Sequence, residues 1–439
     1  MGPRDRRHRP FQDRVRRPRG PVHRGVGPGP RSARTADVRA RSAGSRVVGS
    51  SAPRTERLGQ CQWLHRGRRR LTSIHRASAA ELGDWDERTV DAPGGHVFQS
   101  RAWAAHRETS GWTADHLVFD DGYRVLGLRR PWPLVGGWST YLPRGPISAG
   151  EPADRTAERL AAVVDHLAAA DGTAVAVLAS DAEIPAATGY PGRLAAIGFH
   201  QIEEIQPSRH RLSLPLPGRS EDDVFGGISK SSRQRIRKAD DDGTTVVRHD
   251  GRVPPAGVGD GFAAPAEPTE IALDRFYDLL LETGERRHFS FGPRDAYLAW
   301  WRSALRAGHL VYLEARSSDG APQAGLVLYR HGERLSTVHS GDHAAARRDH
   351  PGALHLLRWR AIQLAIRENR SEMDLGGVDV AGSRREPREG EPMWGLYQHK
   401  RSFGGEWLEL TGAHERVLDP TRYRLGRIAG RLATLMGRG

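Results

Sequence analysis

The sequence predicts an α/β (α+β) fold built as two consecutive halves of similar size. Two observations support this prediction. Segments with an apolar residue at every third or fourth position alternate with short β-rich runs, which is typical of sheets covered by helices. A similar order of elements begins again near residue 206, which indicates an internal duplication. With 439 residues, the chain is long enough for two such domains and a sizeable core.

The first predicted domain extends over residues 73–205. Helical spacing begins at Ala77, and two strands are paired around the turn Asp120–Gly122. Asp154 is expected to cap a long helix, and Gly198 to end a short one. The remaining segments are a helix carrying Trp103, strands at 116–119 and 123–128, a helix at 154–170, a buried strand at 173–179 and a helix ending at 196.

The second predicted domain extends over residues 206–415. A loop rich in Pro and Gly over 251–268 interrupts it, and three strands with alternating polarity predict an antiparallel meander. The predicted elements are a strand at 211–216, a mostly helical segment at 220–242, a strand at 244–248, helices at 270–283 and 294–307, strands at 310–315, 325–329 and 335–340, a helix from Pro351 to 369, and a strand at 373–375.

Residues 416–439 are predicted to form a C-terminal helix with several Arg residues. This is the one candidate for an amphipathic membrane anchor in the sequence. We interpret it instead as a solvated helix that closes the second domain.

Residues 1–72 differ in composition from the rest of the chain. They contain 20 Arg, no Lys and 4 acidic residues, a net charge of +16, whereas residues 73–439 contain 47 basic and 49 acidic residues, a net charge of −2. A segment of Arg, Pro and Gly without apolar periodicity cannot bury enough surface to offset the entropy of ordering it. We expect a disordered leader, the alternative being a start site assigned too early. The basic charge of the whole chain therefore says nothing about what the body binds.

Several classes of protein are excluded by what the sequence contains. A single cysteine, Cys61, excludes a disulfide scaffold and suits a reducing, cytoplasmic compartment. No stretch is apolar enough to span a membrane, and the sequence has no Gly-rich nucleotide loop, zincin motif or serine-hydrolase motif. The histidines at 339, 343, 350 and 355 fit no zinc spacing, so no metal is predicted.

Five short motifs, in order along the chain, carry a resemblance to a known family. They are Phe98–Trp103, Tyr141–Pro146, Ser231–Ala239, Asp374–Gly377 and Lys400–Gly405. Together they resemble the Fem family (FemAB and FemX) of peptidoglycan bridge-forming aminoacyltransferases, over residues 80–430. No heptad run is present near 220–242, which resembles the members that lack the long coiled-coil insertion.

Family membership implies two tandem acetyltransferase-like (GNAT) domains with mixed sheets. It also implies an enzyme of cell wall biogenesis and cell shape, which moves an amino acid from aminoacyl-tRNA to the stem-peptide amine of a muramyl-pentapeptide precursor. Aminoacyl-tRNA is the co-substrate and no cofactor is implied. We expect a cytoplasmic monomer, acting peripherally at the inner membrane face where the precursor is lipid-linked. Three points remain open. They are which amino acid is transferred, whether the acceptor is lysine or diaminopimelate, and whether the precursor is UDP-linked or lipid-linked.

The reaction needs an acceptor for the amine proton and a fixed donor near the carbonyl oxygen. The family has a functional lysine at the place of Lys400, which implies that Lys400 stabilises the oxyanion. The alternative is a solvated lysine at a strand edge. Asp379 is the candidate general base, whereas Asp374 is expected to close a strand.

The precursor's diphosphate requires cations. The resemblance points to Arg107 and Arg287 for this role, and Arg144 lies in a Pro-Arg-Gly-Pro turn that could line the same cleft. Tyr397 is a further candidate for substrate binding. Solvated arginines and ordinary turn chemistry are the alternative explanations for these residues.

A helix with several cations is the candidate contact for tRNA phosphates. Lys230, Arg233 and Arg237 share one of its faces. Acidic residues flank the helix on both sides, so a solvated surface helix is the alternative.

Two other functions remain open. The first is a GNAT-type N-acyltransferase that uses acyl-CoA on a small amine or peptide. The pyrophosphate of CoA would be bound by backbone amides of a Gly-rich loop at the start of a helix. The nearest such segment is Arg348–Ala353, in which Pro351 removes one of these amides. The second is a non-catalytic module that binds tRNA or the precursor.

Overall fold

The computed structural model describes residues 73–436, apart from 134, 170–174, 207–208, 253–260, 288–290, 350 and 379–384. The predicted leader over 1–72 lies outside the described residues. In the described part, the elements form two mixed seven-stranded sheets with helices packed on them, which confirms the predicted fold class.

The first sheet is built mainly from the first half of the chain. Strand β5 is buried along most of its length, as predicted, and α5 is followed by Gly198 with φ +84°. The elements are β1 Ile74–Arg76, α1 Ala79–Gly83, α2 Trp85–Thr89, α3 Arg101–Glu108, β2 Thr113–Phe119, β3 Arg124–Pro131, β4 Trp138–Leu142, α4 Ala153–Ala169, β5 Val175–Ser180, α5 Tyr190–Ala196 and β6 His200–Gln201.

The second half begins with a strand and contains the predicted meander. Its elements are β7 His210–Pro215, α6 Glu221–Gly227, α7 Lys230–Asp241, β8 Thr245–Asp250, α8 Thr269–Arg287, α9 Arg294–Arg306, β9 Leu310–Arg316, β10 Pro322–His331, β11 Arg334–Asp342, α10 Ala344–Asp349, α11 Ala353–Arg367, β12 Glu372–Asp374, α12 Trp394–Arg401, β13 Glu406–Glu409, β14 His414–Val417 and α13 Pro420–Met436.

The mostly helical segment predicted at 220–242 contains two helices, α6 and α7, because Ser229 accepts a hydrogen bond from Ser232 N–H and starts α7 anew. Two other local predictions are wrong. Asp154 lies inside the first turn of α4, where its carboxylate pairs with Arg193 at 2.6 Å. Pro351 lies outside α11, which begins after Gly352.

The two sheets have the same topology and exchange one strand. The first has the order β1-β2-β3-β4-β5-β14-β6, and the second has the order β8-β9-β10-β11-β12-β7-β13. In each sheet one neighbouring pair is parallel, β4 with β5 and β11 with β12, while the other pairs are antiparallel. Strand β7 follows β1–β6 in sequence but fills the sixth position of the second sheet. Strand β14 follows β8–β13 in sequence but fills the sixth position of the first sheet.

Three apolar cores stabilise the fold, and one of them joins the halves. Two of the cores each lie on one sheet, and the third contains side chains of both halves. In this shared core Trp103 of α3 packs edge-on against Trp300 of α9, with ring centroids 5.0 Å apart. The two sheets are therefore held together by buried apolar area as well as by the exchanged strands.

Candidate active site

The region around Lys400 lies where the parallel strands β11 and β12 separate. Their pairing stops at Ser336 and Asp374, although β11 continues beside β10 to Asp342. A bulge at Val338 interrupts the register of β11 at this point. The sheet is open beyond the end of β12, which is a common position for ligand sites in α/β folds.

A tight turn at Gly376 and Gly377 follows β12. The Asp374 carboxylate accepts a hydrogen bond from Gly376 N–H at 2.7 Å, which fixes the turn. The Lys400 ammonium donates to the Gly377 carbonyl at 2.8 Å, and Lys400 is only 7% exposed. The alternative of a solvated lysine at a strand edge is therefore wrong, because Lys400 is buried in helix α12 against this turn.

Gly376 is required by the close approach of Lys400. Its φ is +77°, which favours glycine, and an added Cβ would lie 2.9 Å from Lys400 Nζ and 3.1 Å from the Thr337 carbonyl oxygen. A side chain at this position would push the ammonium away from the turn.

Helices α7 and α12 and residues 385–389 line an open cleft of about 1090 Å³. Lys400 is not among the lining residues, but its neighbours His399 and Arg401 are. The cleft is rich in cations, hydroxyls and rings: Arg235, Arg385, Arg388, Arg401, Ser229, Ser231, Ser232, Ser402, His355, His399, Trp394 and Tyr397. Two carboxylates, Glu386 and Glu389, also line the cleft, but the four arginines outnumber them. Such a lining suits a ligand with phosphates and flat bases.

The two histidines of the cleft are neutral near pH 7. Their rings contact edge to face, with centroids 4.6 Å apart. Burial lowers the pKa of His355 to about 4, and burial together with Arg358 lowers the pKa of His399 to about 2. They therefore serve as polar, uncharged groups beside the arginines.

Tyr397, a predicted substrate-binding residue, lines the cleft with its ring largely buried. Its hydroxyl donates to the Glu386 carboxylate and accepts a hydrogen bond from Arg401 at 2.9 Å. These bonds join α12 to the segment 385–389 and fix the position of Arg401.

The cations of α7 divide between two surfaces. Lys230 is exposed, Arg233 donates to the Gly226 carbonyl, and Arg237 lies over the Phe225 ring at 5.4 Å. None of these three lines the cleft, whereas Arg235 does. Sequence reasoning missed Arg235 because it followed one helix face, and the cleft lies on another.

Arg144 lies in a buried ion cluster between the halves. Its guanidinium is 3.7 Å from Asp181 and 3.5 Å from Glu183. Glu183 also pairs with Arg211 at 3.5 Å and with Arg334. Burial alone would raise the pKa of Glu183, but the guanidiniums, Arg334 first among them, hold it well below its usual range. These carboxylates neutralise Arg144, which favours a positioning role over phosphate binding.

The ion cluster extends to the turn that holds Lys400. Arg211 pairs with Glu372 of β12 at 2.7 Å. Burial raises the pKa of Asp374, and the charge of Arg211 opposes this rise. Arg144 and Lys400, far apart in sequence, are thus brought to one polar network at the ends of the parallel strand pairs.

For Arg107, Arg287 and Asp379, the described structure does not test the predicted roles. Arg107 lies in the last turn of α3, with its guanidinium 5.6 Å from the Trp103 ring and 5.2 Å from the Trp112 ring. Arg287 is the last residue of α8, and its side chain lies outside the described residues, as does the whole of Asp379. Their predicted roles stay predictions.

Neither a metal site nor a membrane span is found in the part of the chain that the structure describes. No group of three or more His, Cys, Asp or Glu side chains is arranged to hold a metal ion there. His343 instead pairs with Glu282 at 2.8 Å. None of the described helices has the length and apolar character needed to cross a bilayer.

Known proteins match both the sequence and the fold. A family model described as an acetyltransferase (GNAT) domain matches residues 229–401. The Lipid II:glycine glycyltransferases of Staphylococcus aureus strains COL and USA300 are each 21% identical, over 76% of this chain and 90% of those enzymes. The crystal structure of FemX superposes with a TM-score of 0.65 at 16% identity, over 80% of this chain and 99% of that chain.

The family model extends from the start of α7 through α12, so it contains both Lys400 and most of the cleft. The structural likeness to FemX concerns the fold and covers both sheets. Taken together, the chain is similar in sequence to the staphylococcal glycyltransferases and in fold to FemX, and its residues 229–401 match the acetyltransferase (GNAT) domain of acyltransferases.

Proposed function

We propose that this protein transfers an amino acid from aminoacyl-tRNA to the stem-peptide amine of a lipid-linked peptidoglycan precursor, as a step of interpeptide bridge formation. The observation that carries the proposal is the buried Lys400 ammonium, held at the Gly377 carbonyl where β11 and β12 separate, on a helix whose neighbouring residues His399 and Arg401 line the cationic cleft. The staphylococcal relatives are named for a lipid II acceptor, which supports a lipid-linked precursor over a UDP-linked one.

In the proposed reaction, the amine nitrogen attacks the carbonyl carbon of the aminoacyl ester. A C–N bond forms, the C–O bond to the tRNA ribose breaks, and the proton lost by the amine ends on the ribose oxygen. Lys400 stabilises the negative charge that develops on the carbonyl oxygen, and its fixed position avoids reorganisation during the step. The ester is already activated, so no further cofactor is proposed. Asp379 stays the candidate base.

The cleft is proposed to hold the 3′ end of the tRNA. Arg235 and Arg388 line the cleft and are proposed to contact its phosphates, and Trp394 offers a ring on which a base can stack. Arg385 also lines the cleft but is paired with Glu391 at 2.6 Å. Lys230 and Arg237, exposed on α7, would extend this contact along the acceptor stem.

The start of α11 argues against acyl-CoA as the donor. A CoA pyrophosphate would need free backbone amides at that helix start. In this structure α7 packs there so closely that a Cβ added to Gly352 would lie 2.4 Å from the Arg235 carbonyl oxygen. A carbonyl oxygen at this place disfavours an anion, which supports aminoacyl-tRNA over the alternative.

The test is a transfer assay with a panel of charged tRNAs and with both lipid-linked and UDP-linked precursors, followed by mass spectrometry. Wild-type protein should add one amino acid to the precursor. Lys400→Met should lower kcat by about 10²–10³-fold, the usual cost of losing an oxyanion donor. Lys238→Met is the matched control, because Lys238 pairs with Asp242 on the exposed side of α7.

Three results would contradict the proposal. Equal rates for Lys400→Met and wild type would remove the role of Lys400. Transfer from acyl-CoA with none from any charged tRNA would favour the N-acyltransferase alternative. Transfer to the UDP-linked precursor alone would exclude the lipid-linked acceptor. Thermal denaturation of each variant shows whether a loss of rate reflects unfolding.

A further inference from the structure

Helix α13 is fastened to the protein along one side. The indole N–H of Trp132, in the β3–β4 connection, donates to the Arg422 carbonyl at 2.7 Å, and the Tyr423 ring stacks on the same indole with centroids 5.8 Å apart. Gly426 lies directly beneath Trp132, since an added Cβ would lie 2.0 Å from the indole nitrogen. The orientation of α13 is therefore fixed, and its opposite side faces away from the protein.

The outward side of α13 is apolar and basic. Leu425 is 48% exposed and Ile428 is 55% exposed, the highest value of any large apolar side chain among the described residues. They are three positions apart, so they lie on one face, and exposed Arg424 and Arg427 flank them. From Pro420 to the last residue the sequence contains five Arg and no Asp or Glu.

This combination identifies the kind of surface that α13 would contact. Exposed Leu and Ile favour an apolar environment, and the Arg side chains favour negative charge immediately beside it. The surface of a bilayer that contains anionic phospholipids offers both, with acyl chains beneath phosphate groups. An RNA backbone would satisfy the arginines but would leave Leu425 and Ile428 in water.

We propose that α13 is an interfacial helix that lies flat on anionic phospholipid, with Leu425 and Ile428 inserted among the acyl chains and Arg424 and Arg427 on the phosphates. This replaces the interpretation of a solvated closing helix. The proposal also deepens the proposed function and rests on it, because binding by α13 would bring the enzyme to the membrane surface at which a lipid-linked acceptor lies. The binding itself requires no transfer reaction, so it is tested separately.

The experiment is cosedimentation of the full-length protein with vesicles. One set contains equal parts of phosphatidylglycerol and phosphatidylcholine, and the other contains phosphatidylcholine alone. Wild type should bind the anionic vesicles at least about tenfold more strongly than the neutral ones. The double variant Leu425→Ser/Ile428→Ser and the double variant Arg424→Gln/Arg427→Gln should each lose about tenfold or more of this binding.

Ile271→Ser is the matched control, because Ile271 of α8 is similarly exposed, at 52%. It should bind the anionic vesicles like the wild type. The proposal is overturned if wild type binds neither vesicle, if it binds both equally, or if Leu425→Ser/Ile428→Ser binds as wild type does. Because all substituted side chains are exposed, circular dichroism should show the wild-type fold in every variant.

A second readout separates this proposal from the proposed function. The Leu425→Ser/Ile428→Ser variant should transfer to a precursor embedded in anionic vesicles at least about fivefold more slowly than wild type. With the same precursor dispersed in neutral detergent the two rates should be equal. A rate that falls equally in both assays contradicts a membrane role, and it would favour a tRNA contact. If no protein shows transfer, the proposed function fails, while the sedimentation result still decides the role of α13.

Discussion

Lys400 depends on backbone groups for its position. A buried ammonium is stable only if its hydrogen bonds are satisfied, and the Gly377 carbonyl accepts one of them at 2.8 Å. That carbonyl is presented by a turn which the Asp374 carboxylate closes. The placement of the ammonium is thus set by residues that need not touch a substrate.

Replacing Gly376 by Ala should displace Lys400. The new Cβ would meet Nζ at 2.9 Å, and alanine is strained at a φ of +77°. We expect kcat of the transfer reaction to fall at least about tenfold and the free energy of unfolding to fall by about 1–3 kcal/mol. Urea denaturation and the transfer assay measure the two effects.

Gly320→Ala provides the control for backbone strain. Gly320 has a φ of +85° in the turn before β10, with nothing within 4 Å of an added Cβ. It should lose a similar amount of stability and keep its kcat. Equal losses of kcat in the two variants would contradict a specific effect on Lys400.

The sequence identified some site residues and missed others for physical reasons. The motif resemblance led to Lys400 and to the turn at Gly376, since short motifs preserve local geometry. Arg235 was missed because helix periodicity shows only which residues share a face of α7. Which face borders the cleft depends on how α7 packs on α11, a helix that is distant in sequence. The burial of Arg144 among carboxylates was likewise hidden, because Glu183 and Arg334 come from different halves.

At the scale of elements, the packing of α7 on α11 shapes the cleft. Gly352, at a φ of +148°, allows the Arg235 carbonyl to approach the start of α11. Arg235 and His355, one from each helix, then line the cleft with the guanidinium 3.4 Å from the imidazole Nε2. The contact between the helices therefore fixes two groups of the proposed tRNA site.

Gly352→Ala should push α7 away from α11. An added Cβ would lie 2.4 Å from the Arg235 carbonyl oxygen, which is too close for any real contact. We expect the free energy of unfolding to fall by about 2–4 kcal/mol and KM for charged tRNA to rise at least about fivefold. Gly226→Ala, where an added Cβ meets nothing within 4 Å, should change neither quantity appreciably. If KM for charged tRNA is unchanged in Gly352→Ala, the proposal that the cleft binds tRNA is contradicted.

Long elements were predicted well, whereas two of the short strands, β13 and β14, were missed. The meander β9–β11 and helices α4, α8 and α9 show clear periodicity over many residues, so local sequence was sufficient. Strands β13 and β14 have four residues each, too few for a pattern to appear. These strands form because they pair with sheets whose other strands are distant in sequence, so the local sequence alone does not reveal them.

At the scale of the whole molecule, the ion cluster around Glu183 links the two sheets. Glu183 follows β5 of the first sheet, and its partners Arg211 and Arg334 lie in β7 and β11 of the second. Because Glu183 is largely buried, removal of its charge would leave several guanidiniums without a counterion.

Glu183→Gln should lower the free energy of unfolding at pH 7 by about 3–5 kcal/mol. The pKa of Glu183 in the folded protein lies below its ordinary value of 4.5, so the carboxylate stabilises the fold above that pH and loses this contribution as the pH falls through the folded pKa. The difference between variant and wild type should therefore shrink from about pH 5 downwards. Urea denaturation over a pH series measures it.

The control is Glu158→Gln on the surface of α4, where Glu158 pairs with Arg155 at 3.0 Å. An exposed pair of this kind contributes about 0–1 kcal/mol, so the variant should stay close to wild type at every pH. A Glu183→Gln difference that stays constant down to about pH 3 would mean that lost packing, and not lost charge, causes the destabilisation.

The exchanged strands also constrain how the protein is made. Strand β14 fits between β5 and β6, yet it leaves the ribosome only after every strand of the second sheet. Until it arrives, the nascent N-terminal sheet has a gap with two unpaired edges, which are open to wrong pairing. The synthesis of β14, followed by closure of this gap, is thus the step that completes the first sheet and commits it to its native pairing.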